Sequence, residues 1–232
     1  GQMSSDFPNR QVIAETTARM LLEIDAVHFN ADKPFTFPSG IVSPVYIDCR
    51  KIISYPRIRE MITSLSVSVI LSEVGFEEFD AIAGGETAGI PFAAWIAAEM
   101  GLPMQYVRKK PKGFGRDAQI EGTITDNQRV LLVEDLTTDG GSKIKFCNAL
   151  RKAGVQADHT IVVFYYDIFE QTREKLTAEG ITLHSLATCW DVLAVCKAGS
   201  HFDTHTLEKV EAFLNAPLEW SGKNGGATSI SI

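Results

Sequence analysis

The chain has 232 residues, 45% of them hydrophobic and 22% charged, and its 22 basic and 29 acidic residues give a formal charge of −7. This composition is typical of globular domains and excludes an intrinsically disordered chain, which needs low hydrophobicity and high charge. No run of about 18 apolar residues is present, and the acidic balance disfavours binding to phosphate backbones. We therefore expect neither a membrane nor a nucleic-acid partner.

The N-terminus and the cysteines bear on the cellular compartment. Residues 1–8 are expected to be a tag remnant and a flexible N-terminus, because Gly1 and Gln2 precede Met3 and no secretory signal pattern is present. The four cysteines form no closely spaced pair of the kind that zinc sites use. They are Cys49, Cys147, Cys189 and Cys196. Reduced thiols, and hence a cytoplasmic protein, are the expectation.

The first quarter of the chain is predicted to combine helices with a loop-rich middle. Apolar residues recur at helical spacing over 9–28 and again from Pro56 to about Ser72, where the proline suits the first helical position. The proline-rich stretch between these helices ends in a short extended run over 45–47. The segment 9–55 is thus predicted to be an N-terminal extension of the main domain.

After residue 78, short apolar runs alternate regularly with helical patterns. The predicted strands span 79–83, 104–108, 130–134, 160–166 and 181–187, and the predicted helices span 87–100, 142–153, 170–179 and 204–214. Apolar strands of this length fit burial on both faces, so the alternation predicts an α/β domain with a parallel sheet and helices on both faces. One domain is expected over 9–214, with a flexible tail over 215–232.

The most informative segment is 130–143, where an apolar strand leads into two acids, a turn rich in hydroxyls and glycines, and a helix. Glycines let the backbone approach an anion closely, and unpaired amides at a helix start lie at the positive end of its dipole. The turn 137–142 is therefore predicted to bind phosphate. Glu134 and Asp135 suit ribose hydroxyls or a hydrated magnesium ion. A plain strand–turn–helix junction with a polar cap is the alternative.

This segment resembles the signature with which type I phosphoribosyltransferases bind phosphoribosyl pyrophosphate (PRPP). The resemblance implies a parallel-sheet type I phosphoribosyltransferase fold with an N-terminal helical hood, PRPP as a substrate, and Mg²⁺ held mainly by PRPP and water. It assigns PRPP binding to Glu134, Asp135, Leu136, Thr137, Thr138, Asp139, Gly140, Gly141 and Ser142. Asp139 departs from the pattern, because a second threonine is usual at its position.

A basic loop follows the second predicted strand, with five basic residues within 107–116. Several cations on a hinged lid suit a pyrophosphate leaving group, although a solvated charged loop is the alternative. The loop resembles the mobile catalytic loop of orotate phosphoribosyltransferases. The resemblance implies that Arg108, Lys109 and Lys112 are catalytic and contact PRPP, partly from the neighbouring subunit of a homodimer. Phe114 stands where the family usually has a histidine, so an acid role there is lost.

The segment 35–48 resembles the N-terminal pattern of the same family, an element that closes over the base. The resemblance makes 9–55 the hood region and implies that Thr138, Tyr46 and Ile47 contact orotate. An aromatic ring such as that of Tyr46 is a suitable stacking wall, with packing in the core as the alternative.

The run 84–91 resembles the family's loop that cradles pyrophosphate, and the resemblance assigns Gly84 and Gly85 to PRPP binding. The whole resemblance implies phosphoribosyl transfer from PRPP to orotate, a step of pyrimidine biosynthesis. Four positions depart from the family pattern, and each lowers the number of charged groups expected around the acceptor base. Because of these departures, the alternatives are transfer to another nucleobase and a PRPP-sensing regulator without catalysis. The four positions are Pro38, Ala88, Phe114 and Ile168.

Overall fold

The computed structural model describes residues 7–232, and the expected tag remnant lies outside the described residues. Within this range no helix has the length and apolar character needed to cross a membrane. The helices are α1 (Arg10–Glu23), α2 (Pro56–Glu73), α3 (Gly89–Met100), α4 (Gly141–Lys152), α5 (Glu170–Ala178), α6 (Cys189–Ala198), α7 (Thr204–Asn215) and α8 (Pro217–Lys223). A 3-10 helix spans Cys49–Ser54. The strands are β1 (Val27–Phe29), β2 (Phe35–Thr36), β3 (Val42–Ser43), β4 (Val45–Ile47), β5 (Ala81–Gly85), β6 (Met104–Val107), β7 (Ile120–Glu121), β8 (Arg129–Thr137), β9 (Gln156–Tyr165) and β10 (Thr182–Thr188).

A six-stranded sheet forms the centre of the molecule, in the order β10-β9-β8-β5-β6-β7. All of its neighbours are parallel except β6 and the short edge strand β7, which are antiparallel. Strands β6 and β8 lie on opposite sides of β5, so the strand order reverses there. Such a switch point opens a crevice outside the carboxyl ends of β5 and β8, where open α/β sheets bind ligands. The predicted α/β class is confirmed.

Strand β8 shows how the sheet separates two hydrophobic cores. Leu131 and Val133 face the core shared with α1, α2 and α3, whereas Val130 and Leu132 face the core under α4 and α5. Successive side chains of a strand point to opposite faces, so a strand buried on both faces is apolar throughout. Helices therefore cover both faces of the sheet, as predicted.

The first helix and helix α6 differ from the sequence-based expectation. The first helix ends at Glu23 rather than near residue 28, because Asp25 takes a left-handed φ of 56° and the chain then enters β1. Helix α6 is an addition to the predicted elements. Its start carries a capping box in which Thr188 and Asp191 exchange hydrogen bonds with each other's backbone, a signal that the sequence does contain.

The C-terminal segment differs from the flexible tail expected over 215–232, because α8 packs against the hairpin of β2 and β3. The buried Ser221 Oγ accepts a hydrogen bond from the Val42 amide at 2.9 Å, and the Ala227 amide donates to the Gly40 carbonyl at 2.9 Å. The tail thereby supports the N-terminal segment that precedes β4.

We predict that Ser221→Ala lowers the free energy of unfolding by about 1–2 kcal/mol, because it leaves the buried Val42 amide without an acceptor. Chemical denaturation measures this change. Ser229→Ala, an exposed position of the same tail, is the matched control and is expected to be neutral. Equal stability of the two variants would show that the tail does not dock in this way.

Candidate active site

Two adjoining cavities lie at the switch point. The first, of about 390 Å³, is lined by β4, the 3-10 helix, the end of β8 and the start of α4. The second, of about 330 Å³, lies between the 3-10 helix, the chain after β5, the basic loop and α4. Four residues line both cavities: Arg50, Glu134, Asp135 and Ser142. The cavities therefore form one cleft with the acid pair at its middle.

The turn from β8 into α4 lines the first cavity. Gly140 has a φ of +86°, a left-handed conformation that glycine adopts without steric cost. Helix α4 starts directly after it, so the first amides of the helix and the positive end of its dipole lie at the cavity wall. Thr137 is the exception in the turn, because its side chain is fully buried away from the cleft.

The side chain of Asp139 folds back onto the same turn. Its Oδ1 accepts a hydrogen bond from the Gly141 amide at 2.9 Å, and its carbonyl oxygen accepts one from Thr172 Oγ1 at 2.9 Å. The carboxylate thus occupies one of the amides at the start of α4. An anion that binds the Gly141 amide has to displace the Asp139 carboxylate.

Glu134 is buried and already paired. Its Oε1 lies 3.1 Å from Lys143 Nζ and accepts a hydrogen bond from Ser142 Oγ at 3.1 Å. The Lys143 ammonium, only 3% exposed, also donates to the Leu136 carbonyl. This group of contacts joins the end of β8 to the first turn of α4. Sequence reasoning missed Lys143, although a cation in the first helical turn is disfavoured by the dipole and signals a nearby carboxylate.

Asp135 is only partly buried and lines both cavities. Burial raises the pKa of its carboxyl; Lys143 counteracts this and Glu134 adds to it. Within residues 7–232 no other side chain donates a hydrogen bond to it. Of the two predicted acids, Asp135 is therefore the one whose oxygens are available to a ligand.

The structure brings one of the three predicted loop cations to the cleft. Lys109 lines the second cavity, and its amide donates to Glu86 Oε2 at 3.0 Å. Arg108 instead pairs with Glu121 at 3.5 Å, and the exposed Lys112 lines neither cavity.

Gly84 and Gly85 are buried under the cleft and line neither cavity. A Cβ on Gly84 would lie 2.9 Å from the backbone of α3, and one on Gly85 would lie 2.8 Å from the Phe146 ring. These glycines allow the helices to approach β5 closely. The residues that follow them, 86–88, line the second cavity.

The hood residues predicted to contact the base lie at the first cavity. Tyr46 and Ile47 line it together with Thr138, and Tyr46 is 43% exposed, which excludes the alternative of packing in the core. The Ile47 amide donates to the hydroxyl of the buried Tyr166 at 3.1 Å, which fixes β4 against the end of β9. Tyr166 was not predicted as a site residue, because its contact with β4 links segments far apart in the chain.

The departures from the family pattern lie in different surroundings. Pro38 lines the first cavity and Ala88 the second. Ile168 packs against the larger core, so this position supplies an apolar side chain and no cation. Phe114 is fully exposed on the basic loop.

Comparison with known proteins agrees with this arrangement. The model of the phosphoribosyl transferase domain matches residues 52–182, which hold both strands of the switch point and the turn after β8. The fold is thus that of a phosphoribosyltransferase.

Individual relatives indicate to which family of phosphoribosyltransferases the chain belongs. The orotate phosphoribosyltransferase of Cereibacter sphaeroides (strain ATCC 17029 / ATH 2.4.9) is 60% identical over 216 residues, 93% of each chain. That of Rhizobium meliloti (strain 1021) is 56% identical over 229 residues, 99% of each chain. The crystal structure of the Aeropyrum pernix orotate phosphoribosyltransferase superposes with a TM-score of 0.68 at 30% identity, covering 79% of this chain and 99% of that one. The chain belongs to the orotate phosphoribosyltransferase family, which confirms the prediction from the motifs.

We predict that Lys143→Met lowers the free energy of unfolding by about 3–5 kcal/mol, because it leaves the buried Glu134 carboxylate without its cation. Denaturant titration measures this loss. Lys145→Met, at an exposed position of the same helix, is the control and is expected to change stability little. A Lys143 variant as stable as this control would mean that the ion pair does not form.

Proposed function

We propose that the chain is a pentosyltransferase that transfers the 5-phosphoribosyl group of PRPP to orotate, giving orotidine 5′-monophosphate and pyrophosphate in de novo pyrimidine biosynthesis. The observation that carries this proposal is the two-part cleft, in which an anion-binding turn and a partly buried acid lie next to a cavity with a basic loop. The identity of 60% to an orotate phosphoribosyltransferase over 93% of the chain supports the choice of base.

In this proposal the turn 137–142 holds the 5′-phosphate in the first cavity. Backbone amides at the start of α4, among them that of Ser142, and the hydroxyl of Thr138 donate to the phosphate oxygens. Asp139 gives up the Gly141 amide on binding, and its backbone remains part of the turn. The Leu136 side chain and the Gly140 backbone line the wall beside the ribose.

Asp135 then accepts hydrogen bonds from the ribose hydroxyls at the middle of the cleft. Glu134 keeps its contacts with Lys143 and Ser142 and acts by holding the turn in place. The donor set also fits magnesium, which prefers one or two carboxylates together with substrate phosphates and water. When bound with PRPP, Mg²⁺ would supply positive charge to the pyrophosphate oxygens, and Asp135 is the residue that would help to hold it.

The leaving pyrophosphate lies in the second cavity, where Lys109 projects from the basic loop. Closure of this loop neutralises the developing charge and excludes water, which would otherwise hydrolyse the activated sugar. Arg108 pairs with Glu121, and neither Arg108 nor Lys112 lines the cleft of its own chain. This placement supports a homodimer in which the loop 108–116 reaches the neighbouring site.

The orotate ring is placed in the first cavity, between the exposed ring of Tyr46 and the segment around Thr138, with Ile47 beside it. Catalysis needs no protein nucleophile, because positioning and electrostatic stabilisation of a ribosyl cation carry the rate. We place the enzyme in the cytoplasm. The four cysteines are free and buried, which fits a reducing compartment.

The direct test follows the loss of orotate by ultraviolet absorbance with PRPP and Mg²⁺ present. We expect consumption that stops when PRPP, Mg²⁺ or protein is left out, and much slower PRPP consumption with uracil, hypoxanthine or adenine. Preference for a purine would contradict orotate as the base. PRPP binding without turnover on any base would favour the regulatory alternative.

We predict that Lys109→Ala and Lys112→Ala each lower the turnover number by about 10²-fold, since each removes one cation from the departing pyrophosphate. Steady-state kinetics measures this, and ribose 5-phosphate affinity is expected to stay within about twofold of the wild type. Lys110→Ala is the matched control, because Lys110 is exposed on the same loop and, unlike Lys109 and Lys112, is not among the residues that the resemblance assigns to PRPP. Wild-type turnover in both variants would reduce the loop to a solvated surface feature.

A further inference from the structure

Arg50 is a cation at the middle of the cleft to which the sequence motifs assign no role. It stands in the 3-10 helix directly after β4 and lines both the first and the second cavity. Its side chain is exposed, and within residues 7–232 its guanidinium makes neither a hydrogen bond nor an ion pair.

Other cations around the cleft and the basic loop are engaged by protein groups. Lys143 is buried against Glu134, Arg108 pairs with Glu121, and Arg116 pairs with Asp126. Arg50, like Lys109 and Lys145, has no such partner in the described residues, and of these three it alone also lines the first cavity.

The charge of the second cavity makes a further cation necessary. Three carboxylates line it, those of Glu86, Glu134 and Asp135, and only the Glu134 charge is balanced by a buried ammonium. The chain after β5 contributes no basic side chain to this wall. A multiply charged anion in the cavity is favoured only if cations from the other walls outweigh the acids. Arg50, Lys109 and Lys145 are the basic residues that line it.

We propose that Arg50 binds the diphosphate group of PRPP, and of the pyrophosphate product, from the hood side of the cleft. A guanidinium presents two parallel N–H donors to phosphate oxygens, and its position between the cavities places it where the diphosphate joins the ribose. This inference rests on the proposed function and adds a binding residue to it. Since Arg50 follows Ile47 by three positions, the diphosphate contact also tethers the segment that covers the base.

The test compares Arg50→Gln, Arg50→Lys and the control Arg57→Gln, which removes the same charge from an exposed site lining neither cavity. Calorimetry with Mg²⁺ pyrophosphate and, separately, ribose 5-phosphate measures the dissociation constants. For Arg50→Gln we expect a 10- to 100-fold weaker binding of pyrophosphate and an unchanged binding of ribose 5-phosphate. Arg50→Lys should recover part of the loss, because lysine keeps the charge and loses the bidentate geometry.

Retained ribose 5-phosphate binding also shows that each variant is folded. Equal pyrophosphate affinity of Arg50→Gln and the wild type would overturn the inference, as would an equal loss in Arg57→Gln, which would mean a general charge effect. A failure of the proposed function can be distinguished from a failure of this inference. A wild-type chain that binds pyrophosphate through Arg50 but does not consume orotate would refute the reaction and keep the binding role.

Discussion

The junction between β8 and α4 depends on one buried ion pair. Lys143 lies in the first turn of a helix, where the dipole disfavours a cation, and Glu134 lies at the end of a strand buried on both faces. Each charge is tolerated because the other is 3.1 Å away and because Ser142 and the Leu136 carbonyl complete their hydrogen bonds. The pair fixes where the turn ends and where the free amides begin, so the position of the proposed phosphate site follows from it.

The rest of the cleft is arranged around this junction by packing. Gly84 and Gly85 allow α3 and the Phe146 ring to pack closely on β5. The chain after β5 therefore lines the second cavity together with Glu134 and Asp135. On the opposite side, Tyr166 and the docked C-terminal helix hold the hood segment over the first cavity. In the proposed function, phosphate binding has a defined local cost, because the Asp139 carboxylate must release the Gly141 amide.

The sequence was sufficient to predict five of the six strands of the central sheet, most helices and the turn after β8, because apolar runs and glycines are local signals. It did not reveal contacts that depend on distant segments. Gly84 and Gly85 predict a cradle for an anion, but nothing in the sequence says that helices also pack on them. Lys143 and Arg50 were missed because a cation has no periodicity. The tail was predicted to be flexible because it is rich in glycine and serine. Nothing in its sequence indicates that Ser221 accepts a hydrogen bond from the distant Val42 amide.

The most direct test of this account is a titration of the isotope-labelled chain with ribose 5-phosphate, followed amide by amide in ¹⁵N–¹H NMR spectra. We expect the largest shifts at the amides from Thr138 to Ser142, with Gly141 among them as Asp139 is displaced. Saturable binding with shifts confined to other parts of the chain, or no binding at all, would contradict a phosphate site at this turn.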